Sequence, residues 1–440
     1  MRPTSMGFWL AVLATIGAQS VPAEPVPAVS RPIVLKAAHL FDSISGTLTN
    51  RGVIVVQGNK IQAVGGAAPL PPDARVIDLG DATLLPGFID AHVHLSMESG
   101  PDWYLDFYHD LMRFPAEQAH YGAHYAKLTL EAGFTTVRDV GSYDYLALGL
   151  RNAIAAGVIP GPRMLVSNHA IGATGGHADQ DPYPPERIAP ATTIKGVCNG
   201  PEQCREAVRY QLKFGADLIK FMPSGGVLSL SDPVDNPQLT QEEMNAIVSE
   251  AHNWGRKVAA HCHGDRAAKM ALAAGVDSIE HGTFLKDDTL LEMKKKHVYL
   301  VATLFAGAWV VERLDKFPAP IAAKARAAGA QAQTMFQHAV KLGTPIALGT
   351  DAAVEPHGLN AHEFSLMAKN GLTPAQSLMA GTAHGAELLG IADKVGTLTA
   401  GKLADIVAVA GNPLTDLKTT EHPLLVMKEG VIYLAPPSGH

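Results

Sequence analysis

The sequence has no block of basic residues and no stripe in which basic and aromatic side chains alternate, and its net charge is −7. That excludes the electrostatic footprint of a nucleic-acid partner. Beyond the first 18 residues it has no apolar run of the roughly 20 residues that a membrane-spanning helix needs. Cysteine is scarce, at three residues, and none follows the N-terminal apolar stretch, so lipid attachment there is excluded. Charged residues are few as well, 18% against 47% hydrophobic. That leaves material for a large core and fits a soluble enzyme.

What is present begins with an address. Arg2 precedes the apolar stretch Met6 to Ala18, and Val21-Pro22-Ala23 offers small residues for cleavage. The pattern predicts a signal peptide over residues 1–23, removed on export to the periplasm or the medium. The stretch is too short for a membrane anchor. Cysteine usage agrees. Cys198 and Cys204 bracket CNGPEQC, before a predicted helix. In an oxidising compartment they can close a small disulfide, and two free thiols are the alternative. Cys262, in HCH, points away from His261 and His263 on a strand and reads as a packed residue.

Short β-like runs (IVLKAAHLFD, GVIVVQGNKIQAVG, ARVIDLG) open the mature chain, and similar runs (KLADIVAVAG, PLLVMKEGVIYL) close it. No helical pattern separates them, which predicts one small β-sandwich domain built from both ends, residues 31–84 and 395–435. Between them, apolar runs alternate with helical stretches, several of which end in glycine. The runs are LLPGFIDAHVHL, TTVRDV, PRMLVSN, DLIKFM, KVAAHCH, DSIEHG, YLVATL and PIALGTD. Eight such units predict an α/β fold, a (β/α)8 TIM barrel over residues 85–394. A doubly wound sheet would not gather polar residues from so many runs at one point. Two long connections, 167–199 and 223–239, are expected to wall the substrate pocket.

The chemistry sits at the ends of those runs. His92 and His94 are two apart and project to one side of a strand, as a metal site begins. Lys220, His261, His281 and Asp351 each lie at or just past the end of a later run. At the C-terminal mouth of a barrel they would meet. A pair of divalent cations there activates water and polarises a carbonyl. Four neutral imidazoles and one aspartate leave a charge deficit, which an ammonium on Lys220 would worsen. A carbamate on Lys220 supplies negative charge and two oxygens, and burial in LIKFM disfavours the ammonium. His263 shares the face of His261, and His177 lies in a glycine-rich loop. His263 is read as a substrate contact or a support for the ligands, against a ligand in another register, and His177 as a substrate contact, against a solvated loop histidine. Arg138 and Asp139 read as a structural ion pair at the rim.

The motifs PGFIDAHVHL, GFTTVRDVG, ATGGHAD, GADLIKFMPSGG, KVAAHCHG, SIEHG, ALGTDA and GTLTAGKLADIVAV cover nearly the whole mature chain. They resemble the amidohydrolase superfamily, in the group of imidazolonepropionase-like proteins, Xaa-Pro dipeptidases and carboxypeptidases that includes ochratoxin A-hydrolysing enzymes. The resemblance implies that His92, His94 and Asp351 hold one cation and His261 and His281 the other. Carboxylated Lys220 and a hydroxide would bridge them, with Asp351 as proton shuttle. The cations are expected to be Zn2+. It also implies a homo-oligomer. A tyrosine that some dipeptidases of this group use after the fourth barrel strand is replaced here by Gln238 and Leu239. The expected activity is hydrolysis of an N-acyl L-amino acid or dipeptide to release a C-terminal amino acid. The alternatives are hydrolysis of a cyclic amide or deamination of a nitrogen heterocycle, and a noncatalytic binding protein. The apolar Val227, Leu228, Leu230, Phe305 and Trp309 either face the substrate or pack their own loops.

Overall fold

The computed structural model describes residues 31–66, 70–100, 102–179, 186, 188–230 and 232–436. The expected signal peptide lies outside them. The chain is mixed α/β. The N-terminal strands are β1 (Ile33–Asp42), β2 (Thr47–Gln57), β3 (Lys60–Val64), β4 (Arg75–Asp78) and β5 (Ala82–Pro86). There follow β6 (Phe88–Val93), β7 (Phe134–Asp139), β8 (Arg163–Val166), β9 (Leu218–Phe221), β10 (Lys257–Cys262), β11 (Ser278–His281) and β12 (Tyr299–Val301), with helices after each of them. The chain closes with β13 (Ile406–Ala410), β14 (Leu425–Lys428) and β15 (Val431–Leu434).

The two chain ends do share one sheet, in the order β15-β14-β13-β5-β1-β2-β3, with β4 also on β1. It is a single hydrogen-bonded sheet of eight strands. β1 makes this possible, because it pairs with β2 along its length, with β4 through its first residues and with β5 at His39 and Leu40. The sheet has its own core around Leu35, Ile54, Ile61, Leu84, Ile406 and Met427.

The central strands pair only in parallel, as β6-β7-β8 and β9-β10-β11-β12. Isolated parallel bridges join Ile171 to Phe221, Leu300 to Ile346, and Ala352 to Val93. The pairings thus lead from β6 round to β6 again. β6, β7, β9 and β11 are buried along their whole length. Strands covered on both faces read as continuous apolar runs, which is how they stood out in the sequence.

Two expected strands differ. LLPGFIDAHVHL is not one run: β5 belongs to the terminal sheet and β6 to the parallel set. The chain divides at Gly87, where an added Cβ would fall on the Thr135 side chain. PIALGTD forms no continuous ladder. Ala91 N–H reaches Leu348 O, Asp351 N–H reaches His92 O, and the Asp90 carboxylate accepts Thr350 N–H. A side chain thus takes a place that a strand backbone would fill.

Candidate active site

The carboxyl ends of the parallel strands bring the polar residues together. His92 lies on β6 and His94 one residue past its end. Asp351 Oδ1 stands 3.2 Å from Nε2 of each. Potential ligand atoms of His92, His281 and Asp351 all lie within 4.8 Å of one another. Burial opposes ionisation of Asp351, but the His92, His94 and His281 rings outweigh it and hold its pKa well below the carboxylate range.

A second group faces the first. His261, His263 and His281 also offer ligand atoms within 4.8 Å of one another. The structure therefore supplies three imidazoles on this side, where the sequence set His263 apart as a substrate contact. Burial first, then neighbouring cations and rings, push His261 and His281 well below the usual histidine range and His263 to about 3. All three are neutral, the form that ligates metal. Lys220 on β9 is 1% exposed. Burial lowers its pKa to about 8, although Glu280 and Asp351 favour the charge.

Each of these histidines has one ring nitrogen committed outward. His92 Nδ1 lies 2.7 Å from Glu280 Oε2, His94 Nδ1 2.8 Å from Gly141 O, His263 Nδ1 2.7 Å from Thr283 Oγ1, and His281 Nδ1 2.7 Å from Thr303 Oγ1. His261 differs: its Nε2 lies 3.2 Å from Gly225 O. Such partners orient an imidazole and leave the other nitrogen for a metal. The residues present therefore fit a metal pair.

Sequence reasoning missed this outer ring. Arg138 does not pair with Asp139. Adjacent strand residues face opposite ways, and Arg138 Nη2 donates to Glu280 Oε1 at 2.8 Å. Asp139 instead accepts Leu95 N–H at 2.8 Å. Burial raises the Glu280 pKa, but Arg138 and His92 overcome it and bring it to about 2. Asp90 accepts from His92 N–H, Thr350 N–H, Thr350 Oγ1 and Asn360 Nδ2. The signal for both acids was a carboxylate inside an apolar run, in FIDAHV and SIEHG, since a buried charge requires partners.

The long connections meet over the second group. The His177 ring is buried and centred 4.4 Å from the His261 ring. Its backbone N–H donates to Gln238 Oε1 at 2.9 Å, and Gln238 Nε2 donates to Asp232 Oδ2 at 2.8 Å. Gln238 thus ties two loops where the dipeptidases' tyrosine was sought. Val227, Leu228, Phe305 and Trp309 are half-buried, and Leu230 is exposed. Cys198 and Cys204 are joined as a disulfide, and Cys262 is free and buried.

The amidohydrolase family pattern matches residues 83–433. The chain belongs to the amidohydrolase family. This amidohydrolase is 30% identical over 417 residues to the ochratoxinase of Aspergillus niger, covering 90% of this chain and 85% of that one. The crystal structure of A. niger ochratoxinase superposes with a TM-score of 0.84, covering 93% of this chain and 97% of that one. A crystal structure of a Xaa-Pro dipeptidase with methionine bound in its active site superposes with a TM-score of 0.88 at 38% identity, covering 92% and 100%. The imidazolonepropionase of Pseudomonas putida is 26% identical, over 81% of this chain and 86% of that one. The protein is thus an enzyme, a hydrolase acting on amide carbon–nitrogen bonds.

Proposed function

We propose that this amidohydrolase is a two-metal enzyme that cleaves N-acyl L-amino acids or dipeptides and releases the C-terminal amino acid. The observation that carries the reading is the convergence of His92, His94 and Asp351 with His261 and His281, around the buried Lys220. The parallel circuit is read as a (β/α)8 barrel of residues 85–394 with its site at the carboxyl ends. The terminal sheet is read as the composite β domain of residues 31–84 and 395–435.

His92, His94 and Asp351 would hold one cation, and His261 and His281 the other, with Lys220 as a carbamate between them. Imidazole-rich sites favour zinc. When bound, the cations polarise the substrate carbonyl and activate water. The chain's own residues do the rest. The depressed pKa of Lys220 supplies the neutral amine that carbon dioxide requires. Asp351 takes the water's proton on its second oxygen, Oδ1 lying between His92 and His94, and delivers it to the leaving amine. His263, stacked on His281, and His177, against His261, are assigned to the substrate. The ochratoxinase and dipeptidase relatives support an amino acid leaving group, so an N-acyl-phenylalanine such as ochratoxin A is a fitting substrate. Export is also proposed, and the disulfide supports an oxidising compartment. A homo-oligomer is proposed as well. The apolar surface of Tyr104, Leu105, Tyr108, Met112 and Phe114, each more than 45% exposed, supports it.

The deciding experiment compares metal-loaded protein on N-acyl-phenylalanine, its C-terminal amide, dipeptides and cyclic ureides. The free-carboxylate substrates should be turned over best. Equal turnover of the acid and its amide excludes carboxylate recognition, and faster turnover of a heterocycle shifts the assignment to cyclic-amide hydrolysis or deamination. Elemental analysis should find close to two metals per chain. Lys220→Ala should lose activity, with partial restoration by short carboxylic acids. Full activity in that variant would remove the carbamate from the mechanism.

A further inference from the structure

Lys324 belongs to none of the groups above, yet its ammonium is the hub of the loop that touches His261. It lies on the helix Ala319–Leu342 and reaches across to the connection after β9. Its Nζ donates to Gly226 O at 2.7 Å, Ser229 O at 2.6 Å and Asp232 O at 3.0 Å. All three of its protons are thereby used. Asp232 Oδ1 stands 3.6 Å away as counter-ion. Asp232 is 8% exposed and also accepts Gly226 N–H at 2.9 Å, Gln238 Nε2 at 2.8 Å and the Ser229 hydroxyl. One lysine and one aspartate thus close the loop on itself from both its carbonyl and its N–H sides.

The held segment is the one that meets the site. Gly225 O faces His261 Nε2. A side chain on Gly226 would fall on the His177 ring, and Ser229 Oγ lies 3.1 Å from His177 Nδ1. Of the five inward histidines, His92, His94, His263 and His281 direct Nδ1 to partners on or just past the ends of parallel strands. Only His261 is oriented from a long loop, and only it is oriented through Nε2. A proton on Nε2 leaves the Nδ1 lone pair free. The position of Gly225 O therefore decides which nitrogen of His261 can ligate.

We propose that Lys324 is a positioning residue for the site, fixing through its bonds to Gly226, Ser229 and Asp232 the tautomer and orientation of the His261 ring. The proposal rests on the two-metal reading and deepens it. Without the ammonium, three converging carbonyls and a buried aspartate lose their common partner. Gly225 O then moves away from His261 Nε2, and His261 is no longer constrained to present Nδ1.

The test uses the full-length enzyme, its Lys324→Met and Lys324→Arg variants, and Zn2+ as the probe. Backbone hydrogen exchange over residues 223–239 reads the loop, and stepwise Zn2+ affinities from chelator competition read the two halves of the site. In Lys324→Met the Gly226 and Gln238 amides should exchange faster. One Zn2+ affinity should fall by ~10–100-fold, as for loss of a partner that orients a ligand, while the other holds. Lys324→Arg keeps the charge but not the compact three-donor head. It should fall between, and it carries the same readings if Lys324→Met does not fold. Faster exchange with both affinities unchanged overturns the proposal, as does an equal fall in both alongside the melting temperature. Fewer than two Zn2+ in the parent protein counts against the two-metal reading instead. The proposal is then decided by 15N spectra of His261, which should be protonated at Nε2 in the parent and show mixed tautomers in Lys324→Met.

Discussion

Glu280 and His281 are neighbours in one strand, yet both reach the same site. His281 has φ 68°, and Asp351 has φ 69°. Non-glycine residues seldom adopt this left-handed region, and they cluster where surrounding structure over-determines them. At His281 the turn out of the extended conformation lets Glu280 support His92 while His281 faces His92 and Asp351. Glu280→Gln should therefore weaken metal binding by about 10–100-fold. It should also cost about 3 kcal/mol of stability, because Arg138 is left buried without its partner. Metal titration and denaturant unfolding would show both, and unchanged metal affinity would argue against the role. Asp351→Asn keeps the size but removes the base. Its hydrolytic rate should fall by at least about 10²-fold at saturating metal, measured as kcat. Parent-like turnover would remove Asp351 as the shuttle. Asp351 and the histidines were legible because polar residues interrupt apolar runs at regular positions. Glu280 and Asp90 interrupt them too, but their service to other residues depends on which strand lies opposite.

At the scale of elements, the connection after β8 is anchored where the helix Pro201–Lys213 begins. Cys198 and Cys204 tie that start, and a bridge from Gly172 to Val197 holds the loop leading to His177. Replacing both cysteines with alanine should cost about 2 kcal/mol, the entropy of a short closed loop. Urea denaturation of the oxidised protein and the variant would measure it, and equal midpoints would contradict a stabilising bond. The helix Asp265–Ala274 ends at Gly275 (φ 99°) and the helix Ala319–Leu342 at Gly343 (φ 73°). Those ends were readable from glycine's tolerance of the left-handed region. The break at Gly87 was not, because its cause is Thr135, 48 residues later on β7.

For the whole molecule, pH sensitivity follows from histidines that the fold keeps neutral. His169 lies against Tyr145, and burial pushes its pKa down to about 4, with Asp144 opposing. Unfolded, it titrates near 6.5. The unfolded chain therefore binds more protons between these values. The contribution of His169 is complete above about pH 6.5 and is lost as pH falls through 4. His169→Gln should flatten the decline of the unfolding midpoint over that interval, and an identical slope would exclude His169 as a contributor. The sequence by itself determined the alternation of strands and helices, the sharing of one sheet by both chain ends, and the choice of His92, His94, Lys220, His261, His281 and Asp351 as candidate site residues. Periodicity and charge within apolar runs are local properties, so a one-dimensional text carries them. The tertiary structure alone decided that Arg138 meets Glu280, that Glu280 meets His92, and that His261 faces Gly225 O in a loop whose next carbonyl, Gly226 O, is held by Lys324. Those contacts join residues tens to more than a hundred positions apart. Their pairing depends on strand order, left-handed backbone at strand ends and the crossing of long loops, none of which leaves a periodic trace in sequence.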